Sequence, residues 1–319
     1  MSIFGHTLPL SADQLRQLGR VGVLLGGESS EREVSLMSGN AILDALRVAG
    51  IETVAIDLKG NSAAIEQLLN ADIDRAFIAL HGPGGEDGRI QAVLEFLNIP
   101  YTGSDVQASA LAMNKLHSKQ LWRGIGLPTP DFEILSPNSN WVQILESLGG
   151  SAMVKPAHEG SSIGMAPVSS AAELAEAFTA AAALDSSVLV ERLLTGAEYT
   201  VAIVDGVVLP PIRLETDNSF YDYEAKYIDE DTRYICPCGL SESKENELKA
   251  LALTAFNSLA CKGWGRVDFM ANEAGEFFLL EVNTVPGMTS HSLVPIAAAA
   301  VGVNFEGLVA KIILDTLPS

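Results

Sequence analysis

The sequence predicts a mixed fold class, α/β at the start of the chain and α+β beyond it, arranged in three units. Strand and helix patterns alternate through residues 1–103, which indicates a doubly wound parallel sheet with helices on both faces. Shorter strands and helices alternate in residues 104–190. Residues 191–319 begin with successive strand patterns and a hairpin turn, which favours an antiparallel sheet in the third unit.

The composition and net charge indicate a soluble globular protein and argue against a general nucleic-acid-binding protein. The 319 residues are enough for two or three domains, and 48% hydrophobic with 19% charged residues is typical of a soluble globular chain. A formal net charge of −20 and a pI near 4.5 argue against general nucleic-acid binding, because no basic stripe offsets the acid. We therefore expect small-molecule partners and no nucleic-acid partner.

The sequence carries no feature of an exported or membrane-inserted protein. Cys236, Cys238 and Cys261 are few and odd in number, so no disulfide framework is indicated. Residues 1–20 lack the basic start and apolar core of a secretory signal. No apolar run approaches the length that spans a membrane. These features predict a cytoplasmic protein without membrane insertion.

The first unit begins with a strand and a helix joined by glycines. Val21–Leu25 is a continuous β-rich run, and Gly26-Gly27 separates it from the helix. Ser30 and Glu33 have the spacing of a capping box for this helix, which Gly50 is placed to end. The further elements predicted in this unit are strands Thr53–Leu58 and Arg75–Leu80, with a helix at Ala63–Asn70 between them.

The second unit is predicted to open with one helix over Ser104–Gly124, followed by a Pro-rich connector at residues 126–130. A loop rich in glycine and serine, residues 159–164, interrupts the elements that follow. Those elements are strand Phe132–Leu135, helix Trp141–Leu148, strand Ser151–Val154, helix Ala171–Ala183 and strand Val188–Glu191.

In the third unit Asp205-Gly206, between two apolar runs, predicts a two-residue hairpin turn. Residues 216–236 are polar and aromatic with few core signals, and a segment of that kind is typical of a functional lid or a disordered loop. Its aromatic content favours the lid. A helix at Glu242–Cys261 and C-terminal helices from Val294 are also predicted.

Residues 264–292 are the most informative part of the chain. Two strand patterns are joined there by a turn around Asn272–Gly275. Because side chains alternate along a strand, polar residues two apart share a face. The residues placed on shared faces in this way are Arg266 and Asp268 on the first strand, and Glu281 and Asn283 on the second.

If the two faces coincide, two carboxylates and an amide oxygen form one small patch. Such hard oxygen ligands suit Mg²⁺, which completes its shell with water and nucleotide phosphates, and the neighbouring guanidinium suits a developing anion. A rim of surface charges on an ordinary hairpin is the alternative. Glu281 follows the apolar run Phe277–Leu280, however, and a buried carboxylate requires a metal or a cationic partner.

Two lysines and the Gly/Ser loop are candidates for phosphate binding. Lys155 follows a strand and precedes residues 159–164, whose backbone N–H groups and hydroxyls can receive phosphate oxygens. The spacing is not that of a P-loop. Taken alone, such a loop is more often a turn, and Lys115 and Lys155 are more often surface lysines.

Val188–Leu194 leads from a strand into a short connector that can offer backbone hydrogen bonds to a flat heterocycle. Glu191 and Glu198 would then accept from an exocyclic amine and from ribose hydroxyls. An exposed acidic strand end explains the same residues equally well.

Polar groups near the first sheet suggest a second ligand region. Glu31 lies by the carboxyl edge of the first strand, where α/β proteins bind ligands and where it could receive an ammonium group. A GxGxxG fingerprint is absent, which disfavours a nicotinamide cofactor. His81 begins a glycine-dense loop, and a structural role and a functional role are equally consistent with this position. Residues 287–292 lead into a helix start, a potential site for a carboxylate.

Together these motifs resemble the D-alanine–D-alanine ligase family of the ATP-grasp superfamily. The resemblance covers the chain after about residue 20, and it implies a three-domain ATP-grasp architecture. The matching segments are VLLGGESSEREVSL, ALHGPGGEDG, PYTGSDVQASALAMNKLHSK, VKPAHEGSSIGM, FYDYEAKY, GWGRVDF and LLEVNTVPGMTSHSLVP.

The resemblance implies an ATP site and a metal site. Two Mg²⁺ ions, or Mn²⁺ in their place, would be bound by Asp268, Glu281 and Asn283, with Glu281 bridging them. The residues that correspond to ATP contacts are Lys115, Lys155, Glu191, Leu194 and Glu198, with Ser161 and Ser162 in the loop over the phosphates and Phe220 in the lid.

The resemblance also implies how two D-alanines are held. Glu31 would receive the ammonium group of the first, in a hydrogen-bonded trio with Ser161 and Tyr227 that closes the lid. Arg266 and the Gly287 N–H would form the oxyanion site. The remaining residues assigned to the substrates are His81, Lys226, Ser292 and the backbone of Leu293.

The activity implied by the resemblance is ATP-dependent formation of D-alanyl-D-alanine, through an acyl phosphate, for peptidoglycan precursor synthesis. Tyr227, in the segment EAKY, favours the dipeptide over D-alanyl-D-lactate. A D-alanine–D-lactate ligase, or another ATP-grasp carboxylate–amine ligase, is the alternative. The resemblance further implies a homodimer.

Overall fold

A parallel sheet forms the start of the computed structural model, which describes residues 8–215, 232–289 and 292–318. Its order is β2–β1–β3, as expected of a doubly wound sheet in which the first strand is central. Every residue of β1 and β3 is buried. The strands are β1 (Val21–Gly26), β2 (Thr53–Leu58) and β3 (Arg75–Ile78), and the helices are α1 (Ala12–Leu18), α2 (Arg32–Val48), α3 (Asn61–Leu69) and α4 (Arg89–Phe96).

The helix after the glycine pair begins differently from the prediction. The N-cap of α2 is Glu31, and its side chain makes no capping hydrogen bond, so the predicted capping box of Ser30 and Glu33 is wrong. Glu31 is instead engaged by a hydroxyl from a distant loop, described below. The predicted end is confirmed, because α2 stops just before Gly50, whose φ of 82° is readily adopted by glycine.

The second unit opens with two helices where one was predicted. The break falls at Asn114, whose side chain accepts from the His117 N–H and so caps the second helix. An antiparallel sheet in the order β4–β7–β5–β6 follows. The helices are α5 (Val106–Met113), α6 (Lys115–Gly124), α7 (Trp141–Ser147) and α8 (Ala171–Ala182), and the strands are β4 (Phe132–Leu135), β5 (Ala152–Pro156), β6 (Ala166–Val168) and β7 (Val188–Arg192).

The third unit is built on an antiparallel sheet in the order β11–β10–β8–β12–β13, with β9 paired to β8. The predicted hairpin turn is confirmed, and Asp205 and Gly206 both have positive φ, 48° and 72°, as a two-residue hairpin requires. The strands are β8 (Glu198–Val204), β9 (Val207–Val208), β10 (Ile212–Glu215), β11 (Arg233–Ile235), β12 (Trp264–Ala271) and β13 (Phe277–Asn283), and the helices are α9 (Glu242–Ser258), α10 (Leu293–Ala300) and α11 (Phe305–Leu314).

One hydrophobic core joins the first sheet to the third unit. Buried side chains of β1 and β3 belong to the same cluster as those of α10 and α11. Phe77 of β3 packs against Trp264 of β12, with ring centroids 6.1 Å apart. This packing fixes the carboxyl edge of the first sheet close to the β12–β13 hairpin.

In the described part of the chain no single helix is both long and apolar enough to cross a membrane, although α10 and α11, bent by 105° between them, reach that composition as a pair.

Candidate active site

A cavity of about 590 Å³ is lined by residues of the sheet β4–β7–β5–β6 and of the sheet that holds β12 and β13. Each sheet contributes apolar side chains to it, including Met153 of β5 and Met270 of β12. A slot with apolar walls and a few charged groups is suited to a nucleotide. The predicted site residues that line it are Lys115, Lys155, Ser162, Glu191, Leu194, Glu198, Asp268 and Glu281.

The β12–β13 hairpin brings the two predicted strand faces together. Asp268 lies directly opposite Glu281, and Arg266 lies opposite Asn283. The register shifts between Asp268 and Phe269, which marks a bulge or irregularity next to the paired carboxylates. The structure therefore places all four predicted polar residues on one patch at the end of the hairpin.

Asp268 is held by hydrogen bonds from its own strand and from both neighbouring strands. The Arg266 guanidinium donates to both of its carboxylate oxygens, at 2.8 and 2.7 Å. The Asn283 amide donates to Oδ2 at 2.9 Å. The Thr200 hydroxyl on β8 donates to Oδ1 at 2.6 Å. The sequence did not point to Thr200, because its contact with Asp268 depends on the β8–β12 pairing.

Lys115 connects the second hairpin carboxylate to the Gly/Ser loop. Its ammonium lies 3.1 Å from Glu281 Oε2 and donates to the Glu159 carbonyl at 2.6 Å. Burial alone would lower the pKa of Lys115, but the carboxylates of Glu281, Glu31 and Glu86 outweigh it and raise that pKa. Lys115 therefore stays charged at the point where the loop and the hairpin meet.

Glu191 lies between two ammonium groups. One carboxylate oxygen contacts Lys155, and the other lies 2.7 Å from Lys119. Lys119 is fully buried and also donates to Thr129 Oγ1 and the Leu279 carbonyl, at 3.0 and 3.3 Å. Burial would raise the pKa of Glu191, but the two cations lower it, whereas burial lowers the pKa of Lys119 to about 8.

These opposite shifts follow from the charge of the cluster. One carboxylate cannot fully compensate two buried ammonium groups, so Glu191 stays ionised and the cost of burying the excess positive charge falls on Lys119, which has no contact with water. Lys119 was not predicted as a site residue from the sequence. The only available signal was its position four residues after Lys115 on one helix, which places both lysines on the same face.

Glu31 meets the Gly/Ser loop at the edge of the first sheet. The Ser161 hydroxyl donates to Glu31 Oε1, and both residues are buried. Two glycines make this approach possible, because a Cβ on Gly160 or Gly82 would lie 2.7 Å from Glu31 Oε2. The predicted pair of Glu31 and Ser161 is thus brought together from the first and second units.

His81 bridges the first sheet and the segment after β13. Its Nδ1 lies 2.9 Å from the Val285 carbonyl and its Nε2 lies 3.1 Å from Ser38 Oγ. Burial lowers the pKa of His81, which favours the neutral imidazole. We assign the proton to Nδ1, since the carbonyl can only accept, so that Ser38 donates to Nε2 while accepting from the Met288 N–H at 3.1 Å.

Glu86, from the same glycine-dense loop, was not singled out by the sequence. It accepts from the Gly82 N–H at 2.7 Å. Desolvation raises its pKa to about 8, and the carboxylates of Glu31 and Glu281 act in the same direction. Three carboxyl groups from different parts of the chain thus influence one another around the first-sheet edge.

The candidate carboxylate site lies at the start of α10. Ser292 Oγ accepts from the Thr289 N–H at 2.9 Å and lies 3.0 Å from its hydroxyl. A Cβ on Gly287 would lie 3.1 Å from Ser292 Oγ, so these two residues are neighbours. Leu293 is the first residue of α10 and is buried. The predicted lid residues Phe220, Lys226 and Tyr227 lie outside the described residues.

The β12–β13 hairpin offers a cation a small set of hard oxygen donors. In the described ranges, no group of three or more His, Cys, Asp or Glu side chains converges as a metal site. The predicted set comprises only two carboxylates and one amide, Asp268, Glu281 and Asn283, which suits a cation that keeps water or phosphate in its shell. Both carboxylates are compensated by cationic side chains, Arg266 and Lys115, as expected for acids that otherwise require a metal.

Comparisons with known proteins agree with this geometry. Residues 121–314 match the family model described as D-ala D-ala ligase C-terminus, and residues 57–104 match the D-ala D-ala ligase N-terminus. A D-alanine–D-alanine ligase of Saccharophagus degradans is 58% identical over 300 residues, 94% of this chain and 95% of that protein. The chain belongs to the D-alanine–D-alanine ligase family.

Solved structures extend the comparison. The D-alanine–D-alanine ligase of Bacillus anthracis complexed with ATP has a TM-score of 0.83 and 34% identity, covering 93% of this chain and 97% of that one. The VanG D-Ala:D-Ser ligase of Enterococcus faecalis has a TM-score of 0.79 and 26% identity, covering 94% and 99%. The expected α/β and α+β ATP-grasp fold is confirmed for this D-alanine–D-alanine ligase family member, and the family is one of ATP-dependent ligases.

Proposed function

We propose that this enzyme joins two D-alanines into D-alanyl-D-alanine, converting ATP to ADP and phosphate, for peptidoglycan precursor synthesis. One contact carries the proposal. The Ser161 hydroxyl, in the loop beside the nucleotide cavity, donates to Glu31, the carboxylate suited to an amino-acid ammonium group. A phosphate-binding loop that is bonded directly to an ammonium-binding carboxylate places a phosphoryl donor beside an amino acid.

The nucleotide would occupy the cavity between the two sheets. Lys115 and Lys155 would neutralise its phosphates beneath the loop that contains Ser162. Glu191 and Glu198 would accept from the exocyclic amine of adenine and from the ribose hydroxyls, with the Leu194 backbone beside the base.

Asp268, Glu281 and Asn283 would hold two Mg²⁺ ions. When bound, these ions supply positive charge to the phosphate oxygens during transfer. The support is the cross-strand pairing of Asp268 with Glu281 and the hard oxygen character of the set. Retention of the metal can be measured by equilibrium dialysis of Mn²⁺ in the presence of a non-hydrolysable ATP analogue.

Glu31 would hold the ammonium group of the first D-alanine and direct its carboxylate towards the γ-phosphate. A carboxylate oxygen forms the new bond to phosphorus while the bond to the ADP oxygen breaks, which yields an acyl phosphate and ADP. The amine of the second D-alanine, after losing a proton, would then attack the acyl carbon. Arg266 and the Gly287 N–H would stabilise the oxyanion before phosphate leaves.

The second D-alanine would be bound through its carboxylate. Ser292 and the Leu293 N–H, at the start of α10, would receive it, together with Lys226 of the lid. His81 would act by fixing the segment of Val285 against the first sheet. Water would have to be excluded while the acyl phosphate exists, a role we assign to the lid with Phe220 and Tyr227.

Substrate identity is tested by product formation. The protein is incubated with ATP, Mg²⁺ and either D-alanine, L-alanine, D-serine or D-alanine plus D-lactate, and released phosphate and the condensed product are measured. D-alanine alone should give ADP, phosphate and the dipeptide. Absence of phosphate release with D-alanine would reject the proposed substrate, and faster turnover with D-lactate as acceptor would favour the ester-forming alternative.

We also propose that the enzyme acts as a homodimer in the cytoplasm, where its nucleotide substrate is made. Family membership is the support for the dimer. Light scattering coupled to gel filtration should give twice the chain mass of 33.7 kDa, and a monomer mass across the working concentration range would contradict it.

A further inference from the structure

Lys119 is a buried cation that the proposed reaction does not use. It lies on α6, four residues after Lys115, and none of its side chain is exposed. A lysine is buried so completely only where its charge is compensated, because an uncompensated ammonium is costly. The Lys119 ammonium forms an ion pair with Glu191, 2.7 Å from Oε2, and donates hydrogen bonds to the Thr129 hydroxyl and the Leu279 carbonyl.

The two lysines on Glu191 occupy different environments. Lys155 lines the cavity together with Glu191, on the side that the nucleotide would occupy. Lys119 is not part of the cavity lining and reaches Glu191 from the protein interior. Phosphate oxygens in the cavity would therefore attract Lys155, whereas Lys119 would keep its contact with Glu191.

From this arrangement we propose that Lys119 is the positioning residue for base recognition, holding Glu191 ionised and correctly oriented when Lys155 turns to the phosphates. The inference rests on the proposed role of Glu191 in accepting from the exocyclic amine. Lys119 does not touch the nucleotide and acts only through Glu191.

This role has a consequence for nucleotide choice. An ionised carboxylate accepts from the amine of adenine and repels the carbonyl oxygen that guanine carries at the same place. A carboxyl group that has lost its cation gains a proton more easily and can then donate to that carbonyl. Loss of Lys119 should therefore weaken the preference for ATP over GTP.

The test is a double-mutant cycle with Lys119→Met and Glu191→Gln. Binding of the imido analogues of ATP and GTP is measured by calorimetry with Mg²⁺. Lys119→Met should weaken binding of the ATP analogue about 10- to 100-fold, the range for one charge-assisted hydrogen bond, and reduce the ATP-to-GTP preference. In the Glu191→Gln background the same substitution should change neither quantity.

Two controls separate this role from a structural one. Lys311→Met removes a different lysine–carboxylate pair, with Asp205, away from the cavity, and should leave nucleotide preference unchanged. If Lys119→Met alone does not fold, Glu191→Gln and the double variant are compared, because both lack the unpaired carboxylate. Equal binding by these two supports the proposal.

Two results would overturn it. One is an additive loss in the cycle, since Lys119 would then act without Glu191. The other is an unchanged ATP-to-GTP preference in folded Lys119→Met. A different outcome is that the cycle gives the expected binding results while the wild-type protein forms no dipeptide from D-alanine. That outcome would refute the proposed substrate and would still support the role of Lys119.

Discussion

Arg266 and Asp268, two residues apart on β12, are joined by two parallel hydrogen bonds, Nε to Oδ1 at 2.8 Å and Nη2 to Oδ2 at 2.7 Å. The side chain proposed for the oxyanion thus neutralises the carboxylate proposed for the metal. This pairing compensates the Asp268 carboxylate, so the acid can lie largely buried opposite Glu281 without a ligand.

Arg266→Ala should lower turnover far more than it lowers nucleotide affinity. Removing one oxyanion donor costs about 10²–10³-fold in kcat, because the lost hydrogen bond is strongest in the transition state. The measurements are kcat from phosphate release and the dissociation constant of a non-hydrolysable ATP analogue. Arg47→Ala, which breaks a pair with Asp44 on α2 away from the cavity, is the control and should change kcat by only a few fold. Equal losses of turnover and affinity in Arg266→Ala would favour a purely binding role.

Gly160→Ala should impair use of the first D-alanine without unfolding the protein. The new Cβ would lie 2.7 Å from Glu31 Oε2, so the carboxylate end must move. A displacement of that order at a binding group costs about 10- to 100-fold in kcat/KM for D-alanine. The control is Gly124→Ala, where a Cβ meets nothing within 4 Å. Unchanged kinetics in both variants would contradict the role given to Glu31.

The sequence was most informative where contacts are local. Asp268 and Glu281 belong to strands separated by only five residues, 272–276, so alternation and turn position were enough to place them together. The same reasoning failed at Asn114, where neither glycine nor proline marks the break between α5 and α6. It also misplaced a helix cap, since Glu31 is the N-cap of α2 and its side chain accepts a hydrogen bond from Ser161, 130 residues away.

Residues whose role depends on partners distant in sequence could not be predicted from the sequence. Lys119 and Lys115 share one face of α6, and periodicity alone cannot tell which of the two ends fully buried. Thr200 reaches Asp268 only through the pairing of β8 with β12. Both contacts depend on how whole sheets pack, which local patterns do not encode.

Glu86→Gln should change how stability depends on pH. Desolvation raises the pKa of Glu86 from its ordinary 4.5 to about 8, so between these values the unfolded chain releases a proton that the folded protein keeps. Stability contributed by the protonated group is therefore complete below pH 4.5 and is lost as pH rises through about 8. Glutamine does not titrate and can still accept from the Gly82 N–H.

The measurement for Glu86→Gln is the free energy of unfolding in urea at pH 5 and pH 8.5. The variant should gain stability relative to wild type as pH increases between these points. A difference between the two proteins that is the same at both pH values would mean that Glu86 is ionised throughout in the folded state.

Arg75→Met should destabilise the fold while leaving the chemistry intact. Arg75 on β3 is only 7% exposed, and its guanidinium forms hydrogen bonds with residues near both ends of the described chain. It donates to the carbonyls of Gln17 and Leu18, both at 2.8 Å, and to the carbonyl and hydroxyl of Thr316, at 3.0 and 2.9 Å. Methionine fills similar volume but leaves these acceptors without their donor, at a cost of about 2–4 kcal/mol.

Urea unfolding of Arg75→Met should show a lower midpoint with an unchanged slope, and kcat measured at 25 °C should stay within a few fold of wild type. The control is Arg16→Met on α1, whose pairing with Asp13 is exposed and contributes at most about 0.5 kcal/mol. Arg75 lies on the same first sheet whose carboxyl edge supports Glu31 and His81, so its loss also tests whether that edge depends on the contact with Thr316, which follows α11. A loss no larger than that of Arg16→Met would show that water replaces the buried guanidinium, whereas a fall in kcat with normal stability would show that the contact positions the site.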